Sequence, residues 1–138
     1  ELRTQIEFID APGALGPVVP SLGREMWDAV RSADLALVMV DASSPGTERQ
    51  LGQFLSRLSD ELEVGGKERP DGGRTQTVLV LNKVDRVKQK ENLLVISRRL
   101  HELHAFDHPC LMISALKQDG TNDLKNFLCL SAPLGKWM

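Results

Sequence analysis

Short apolar runs alternate with helix-like stretches along this sequence, and that alternation restricts its fold more than any other feature. The apolar runs are residues 6–9, 35–40, 77–81 and 110–113. Each is rich in Val, Ile or Leu with little polar alternation, as expected of strands covered on both faces by helices. The helix-like stretches are residues 23–31, 50–62, 90–103 and 122–130. We therefore predict an α/β fold in which helices flank a mostly parallel sheet.

The leucines of residues 50–62 give the clearest helical signal. Leu51, Phe54, Leu55, Leu58 and Leu62 recur three or four residues apart, which places them on one face of an amphipathic helix. The residues expected to face inward from the other helices are Met26, Trp27, Val30, Leu93, Leu94, Ile96, Leu100, Leu103, Leu124, Phe127 and Leu128. Residues 64–74 are polar and rich in glycine, so an exposed loop is predicted there.

Composition excludes several other classes of protein. The 138 residues suit one domain, and 41% hydrophobic with 26% charged residues argues against disorder. A net charge of −2 provides no strong positive field, so any RNA contact is expected mostly elsewhere in the protein. No transmembrane segment is predicted, because the longest apolar run, residues 35–40, is far shorter than the ~20 residues that span a bilayer.

The cysteines, the histidines and one aspartate are expected to be structural. Cys110 and Cys129 lack metal-ligand spacing, so both are predicted to be buried thiols of a reducing compartment. Surface positions are predicted for the three histidines, because no carboxylate or Cys completes a zinc set with them. Those histidines are His101, His104 and His108. Asp41, after the run 35–40, is also interpreted as structural.

Polar residues follow three of the four predicted strands, at the carboxyl ends where parallel sheets bind ligands. The run 6–9 ends in Asp10, Ala11, Pro12 and Gly13. An Asp there can hold a magnesium ion through water, and Gly13 allows its backbone N–H to approach a phosphate closely. The same four residues also suit a plain turn, so by themselves they leave both interpretations open.

The run 77–81 ends in Asn82, Lys83, Val84 and Asp85, which point to guanine. Guanine presents two adjacent donors, N1–H and the exocyclic amine, and one carboxylate can accept both. Adenine offers no such pair, so Asp85 can discriminate between the two bases. Asn82 can bridge the base to neighbouring loops, and the stem of Lys83 can lie along the face of the base.

The run 110–113 ends in Ser114, Ala115 and Leu116. The Ser114 hydroxyl can brace the loop, and the Ala115 backbone N–H can donate to the carbonyl oxygen of guanine. These three residues alone carry little information. The three sets of polar residues, however, follow three predicted strands in chain order. Together they predict a guanine-nucleotide site.

The segments IDAPG, LNKVD and ISAL resemble the third, fourth and fifth signature boxes of the GTPases related to translation factors. LNKVDRVKQKENLL, ADLALVMVDAS and the closing APLGKWM are similar to the Era family of the TrmE–Era superclass. The resemblance covers nearly the whole chain. It implies a P-loop NTPase-type sheet that binds GTP or GDP together with Mg²⁺.

The same resemblance implies roles for individual residues. Asp10 corresponds to the magnesium-side Asp and Gly13 to the γ-phosphate sensor. The residues that hold guanine or close over it are Asn82, Lys83, Asp85, Ser114, Ala115 and Leu116. Ala14 and Leu15 stand where many GTPases place a water-positioning Gln, which implies slow hydrolysis and identifies no catalytic side chain. Without nucleotide, residues 14–22 are expected to be mobile.

One part of the family pattern does not occur in this sequence, the phosphate-binding loop G-x-x-x-x-G-K-[ST]. The chain also starts at Glu1, inside a predicted strand. We therefore expect residues 1–132 to be the carboxyl-side part of a GTPase domain and residues 133–138 a linker toward an absent KH domain. This segment alone is expected to bind GTP weakly and to be inactive, because it cannot cradle the β- and γ-phosphates.

For the complete protein, the resemblance implies a GTP-hydrolysing switch that assists small ribosomal subunit assembly and rRNA maturation. The expected partner is the small subunit or its precursor, with rRNA held mainly by the KH domain. Two alternatives stay open: a non-hydrolysing scaffold docked on a ribosomal particle, and a GTPase of the same superclass that acts in tRNA modification. The stretch from Lys88 to Lys90 favours a mitochondrial location, with the bacterial cytoplasm or a plastid as alternatives.

Overall fold

The computed structural model describes residues 3–10, 20–44, 48–65 and 73–133. Its helices and strands alternate as the sequence predicts. In chain order they are α1 (Pro20–Ser32), β1 (Leu35–Asp41), α2 (Glu48–Gly65), β2 (Gln76–Asn82), a 3₁₀ turn (Val84–Arg86), α3 (Glu91–Leu103), β3 (Leu111–Met112) and α4 (Thr121–Ser131). No helix within these ranges is both long and apolar enough to cross a membrane.

The strands form a parallel sheet in the order β1-β2-β3, which confirms the predicted α/β class. The register pairs Leu35 with Gln76 at one end of β1 and Asp41 with Asn82 at the other. β2 is central and its apolar residues are completely buried, which explains their unbroken hydrophobic sequence. The β2–β3 ladder is short because β3 has only two residues where the sequence predicted four.

The leucine stripe of α2 faces the core, as predicted. Leu51, Leu55, Leu58 and Leu62 are all buried and belong to one cluster with residues of β1, β2 and α3. α2 also contacts α1. There the ring of Trp27 stacks on Phe54 with 5.7 Å between centroids. α2 therefore packs against α1, α3 and the sheet.

A buried polar network joins α2, α3 and β2 at the end of the sheet where β2 begins. His104, at the carboxyl end of α3, is 7% exposed. Its Nδ1 lies 2.7 Å from Ser59 Oγ and its Nε2 lies 3.1 Å from Thr77 Oγ1. Asp107 accepts the Thr77 backbone N–H at 2.8 Å and forms an ion pair with Arg74. The prediction of a surface position is therefore wrong for His104.

The predicted strand at residues 6–9 is also wrong. Residues 3–10 contain no strand, and the Phe8 side chain is 72% exposed. A cavity of about 400 Å³ lies between residues 5–9, the edge of β1 and the ends of α1 and α4. A strand requires hydrogen bonds to a neighbouring backbone. Since this segment does not reach the edge of β1, its apolar sequence produces no ladder.

Several element boundaries differ from the predicted ones. α1 begins at Pro20, a residue that suits the first helical position, so residues 20–22 of the predicted mobile segment are helical. The rest of that segment, residues 14–19, lies outside the described residues. α2 continues to Gly65, which shortens the predicted loop at residues 64–74. Residues 66–72 of that loop also lie outside the described ranges.

Burial in the last two helices is lower than predicted. Leu124, Phe127 and Leu128 of α4 are only half-buried, and no α4 residue is buried. Leu94 on α3 is 67% exposed and Leu103 is exposed too. Cys129 lies on the exposed side of α4 and Cys110 is half-buried, so the prediction of two buried thiols is wrong. A stripe of apolar residues predicts which face of a helix points inward, but it does not predict how much of that face a neighbouring element covers.

Candidate nucleotide-binding site

The carboxyl ends of β2 and β3 bring together two of the three predicted sets. Asn82 is the last residue of β2, and Asp85 lies in the 3₁₀ turn that follows. Ser114 comes two residues after β3. Backbone hydrogen bonds tie the two ends, because Ile113 N–H donates to Leu81 O at 2.8 Å and Val84 N–H donates to Ile113 O at 3.2 Å. The polar residues therefore share one edge of the sheet.

Lys83 makes the sharp turn between β2 and the 3₁₀ turn. Its φ of 62° and ψ of 33° place it in the left-handed region, which few non-glycine residues adopt. Its backbone N–H donates to its neighbour's side chain, Asn82 Oδ1, at 2.8 Å. A conformation of this kind costs about 1–3 kcal/mol and concentrates at functional sites. The turn brings Asp85 back toward the loop after β3.

The Asp85 carboxylate is exposed and accepts a hydrogen bond from a buried hydroxyl. Ser114 is 1% exposed, and its hydroxyl donates to Asp85 Oδ1 at 2.7 Å. This hydrogen bond is the main reason that the pKa of Asp85 lies below its ordinary value, and Lys117 and Arg86 add favourable charge. A lowered pKa keeps the carboxylate ionised and acceptor-only at neutral pH. Asp85 is therefore prepared to accept two donors from a ligand.

Asn82 joins the turn after β2 to the loop after β3, while the bridge from the base to these loops stays a prediction. Besides the Lys83 N–H, its Oδ1 accepts the backbone N–H of Ala115 at 3.1 Å. From the sequence, the Ala115 N–H is expected to donate to the carbonyl oxygen of guanine. Here it donates to Asn82, so a base carbonyl would have to share it or replace Asn82.

Hydrogen bonds between its own residues close the loop after β3. Ser114 and Asp119 exchange backbone hydrogen bonds of 2.9 and 3.0 Å, and Lys117 N–H donates to Ser114 Oγ at 3.2 Å. Gly120 ends the loop with a φ of 74°, and a Cβ there would lie 2.6 Å from the Met112 carbonyl oxygen. Leu116 is 78% exposed at the tip of the loop. The loop thus presents Leu116 to solvent while Ser114 stays buried.

The structure adds Asp41 to this edge, a residue whose sequence context predicts only a structural role. Its Oδ2 lies 2.9 Å from Lys83 Nζ, and its Oδ1 accepts the Ser43 backbone N–H at 2.9 Å and the Ser43 hydroxyl at 2.6 Å. The Ser43 and Lys83 hydrogen bonds lower the pKa of Asp41 to about 2. Aligning the ends of the runs 35–40 and 77–81 would have placed Asp41 beside Asn82.

Asp10, the predicted magnesium residue, is not assembled with this edge. Asp10 is exposed, and among the described residues no hydrogen bond or ion pair joins it to the residues at the ends of β2 and β3. Gly13 lies outside the described residues. Within the described ranges, no group of three or more His, Cys, Asp or Glu residues could hold a metal ion. Both assignments stay predictions.

No protein-family profile matches the chain. Individual proteins are nevertheless similar to it in sequence. Era GTPase of Mesorhizobium japonicum is 33% identical over 138 residues, which cover 98% of this chain and 40% of that protein. Era GTPase of Brucella suis is 36% identical over 137 residues, covering 96% of this chain and 39% of that protein. The chain therefore spans about two fifths of the length of these bacterial relatives.

Solved Era structures share the fold. Aquifex aeolicus Era, as a tyrosine-to-alanine variant bound to GDP.AlF4⁻, superposes with a TM-score of 0.66 at 23% identity over 92% of this chain and 40% of that one. An Era in complex with MgGDPNP and nucleotides 1506–1542 of 16S ribosomal RNA superposes with a TM-score of 0.62 at 24% identity. Sequence similarity and fold agree: this chain is similar to Era GTPases along nearly its whole length, and it shares the fold of the solved Era structures.

Proposed function

We propose that this chain is the guanine-recognising part of a GTP-binding and GTP-hydrolysing switch. One observation carries the proposal: Asp85 is exposed, ionised and fixed by the buried Ser114 at the shared edge of β2 and β3. Two carboxylate oxygens match the adjacent N1–H and amine donors of guanine. Adenine presents an acceptor at N1, which would face a carboxylate oxygen and repel it. The site therefore favours guanine by attraction and rejects adenine by repulsion.

Base choice is the direct test of this proposal. In the full-length protein, Asp85→Asn replaces one acceptor oxygen by an amide donor, which suits the second carbonyl of xanthine. We expect preference to shift from GTP to xanthosine triphosphate in competition binding. Asp123→Asn is the matched control, because it removes an exposed carboxylate from the first turn of α4. Unchanged preference for GTP in Asp85→Asn would contradict a guanine site here.

The phosphate side of the site is a proposal of its own. We assign Asp10 to Mg²⁺ through water and Gly13 to the γ-phosphate, with Lys83, Ala115 and Leu116 around the base. The solved Era proteins bound to GDP.AlF4⁻ and MgGDPNP support guanine nucleotide and Mg²⁺ as ligands. Asp10→Asn should then weaken GTP binding when Mg²⁺ is present and leave it unchanged in EDTA. Equal affinities with and without the metal in wild type would remove Asp10 from this role.

The partner that we propose is the small ribosomal subunit or its precursor, and the process is subunit assembly with rRNA maturation. The Era that was solved with a 16S rRNA segment supports this choice. Residues 1–132 would be the GTPase part and residues 133–138 the link to an RNA-binding KH domain, although residues 134–138 lie outside the described ranges. Full-length protein should sediment with small subunits more strongly in GTP than in GDP. Sedimentation that ignores the nucleotide would contradict a switch.

For the compartment, we propose the mitochondrion, supported by the Lys88–Lys90 stretch. The relatives are bacterial proteins, and their similarity supports the bacterial cytoplasm as the alternative. A fluorescent fusion of the full-length protein, imaged with a mitochondrial marker in its own cells, tests the choice. Diffuse fluorescence would overturn the mitochondrial location.

A further inference from the structure

We propose that Asp41 is a positioning residue of the guanine site: its carboxylate holds the Lys83 ammonium and so fixes the lysine stem beside Asn82 and Asp85. The inference rests on the proposed function and adds a residue from a third strand end to it. Asp41 acts through Lys83, since it is Lys83 that is expected to lie along the base.

Asp41 is itself held rigidly before it reaches Lys83. Both groups of Ser43, the backbone N–H and the hydroxyl, donate to Asp41 Oδ1, which leaves Oδ2 directed at Lys83 Nζ 2.9 Å away. Beyond the last paired residues of β1 and β2, Ala42 N–H donates to Asn82 O at 2.8 Å. The carboxylate therefore has a fixed place relative to the end of β2, where the guanine site begins.

Lys83 is consequently held at both ends of its side chain. Its backbone is in the left-handed conformation with its N–H on Asn82 Oδ1, and its ammonium is on Asp41. A free lysine samples many rotamers and loses that freedom when a base packs on its stem. The ion pair removes part of that loss before the ligand arrives, which strengthens binding without a contact between Asp41 and the ligand.

The ion pair persists over the whole range of an ordinary binding assay. Ser43 and Lys83 lower the pKa of Asp41 to about 2, so the carboxylate stays charged at any pH from weakly acidic to neutral. Lys83 is about half exposed, with 46% of its side chain accessible, and Asp41 is 31% accessible. The lysine stem thus remains open to a ligand while its ammonium is engaged.

The test is a double-mutant cycle on the full-length protein, read as the dissociation constant of GDP. Asp41→Asn and Lys83→Met are measured singly and together, since Met keeps an apolar stem without the charge. Each single variant is expected to bind GDP about threefold to tenfold more weakly, the effect of ordering one side chain. The double variant should bind no more weakly than Lys83→Met alone. Glu102→Gln on α3 removes one negative charge elsewhere and should leave the affinity unchanged.

Each other result overturns the inference in a distinct way. If wild type does not bind GDP, the proposed function falls and this inference falls with it. If wild type binds and Asp41→Asn binds equally well or more tightly, the guanine site stands and the role of Asp41 is refuted. An equal loss in the wild-type and Lys83→Met backgrounds would show that Asp41 acts only through the Ser43 turn. Should Asp41→Asn not fold, Asp41→Glu takes its place, because it moves the carboxylate while keeping the charge.

Discussion

Acidification from pH 7.5 to 5.5 should destabilise this chain, because His104 is buried in its neutral form. Both ring nitrogens have a hydroxyl partner, Ser59 Oγ at Nδ1 and Thr77 Oγ1 at Nε2, and the Thr77 hydroxyl also donates to Asp107. Burial is the main cause that lowers the pKa of His104. Asp107 opposes that effect, and Arg74 and His101 reinforce it.

Whether acid stabilises or destabilises the fold depends on which state, folded or unfolded, binds more protons. The unfolded chain protonates His104 near its ordinary pKa of about 6.5, whereas the folded chain protonates it only at lower pH. Stability is therefore complete above the unfolded pKa and falls as the pH drops toward the folded one. One such group changes the free energy of unfolding by at most about 1.4 kcal/mol per pH unit. Over this window the free energy of unfolding is expected to fall by no more than about 1.4 kcal/mol, since only one pH unit of it lies below 6.5.

Urea unfolding at both pH values measures this loss. In His104→Gln the free energy of unfolding should be lower at pH 7.5 but should change little on going to pH 5.5. His108→Gln is the matched control, because His108 is only half-buried and its Nε2 contacts the exposed Gln76 Oε1 at 2.8 Å. Full pH dependence in His104→Gln, or no pH dependence in wild type, would refute this role of His104.

Further substitutions, with their controls, test the site and the core. Ser114→Ala removes the donor to Asp85 and should weaken GDP binding by the full-length protein about tenfold or more, as loss of a hydrogen bond to a charge does; unchanged affinity would exclude this bracing role. Gly120→Ala should lower the free energy of unfolding in urea by about 1–3 kcal/mol, because Gly120 has a positive φ and a Cβ there would meet the Met112 carbonyl oxygen. Gly52→Ala is the control, and it should stabilise α2 by about 0.5–1 kcal/mol because there is open space around Gly52. Equal effects of the two substitutions would contradict the clash with Met112. Leu58→Ala should lose about 2–5 kcal/mol, and a loss no larger than that of the exposed Leu94→Ala would contradict the assignment of the core.

Local patterns in the sequence determined the elements whose geometry is local. The spacing of Leu51, Leu55, Leu58 and Leu62 predicts α2 because a helix repeats every 3.6 residues whatever surrounds it. The apolar run 77–81 likewise predicts a strand buried on both faces. Asn82, Lys83 and Asp85 could be recognised because their chemistry follows that strand directly in the chain.

Only the tertiary structure decided the features that depend on distant neighbours. Residues 6–9 have the composition of a strand, but a ladder needs a second backbone within reach, and a cavity lies between this segment and β1. His104 is buried because Ser59 and Thr77, distant in sequence, converge on its ring. Asp41 meets Lys83 because the β1–β2 register places the two strand ends side by side. Strand register and the burial of a side chain depend on residues that are distant in sequence, so a local sequence pattern does not determine them.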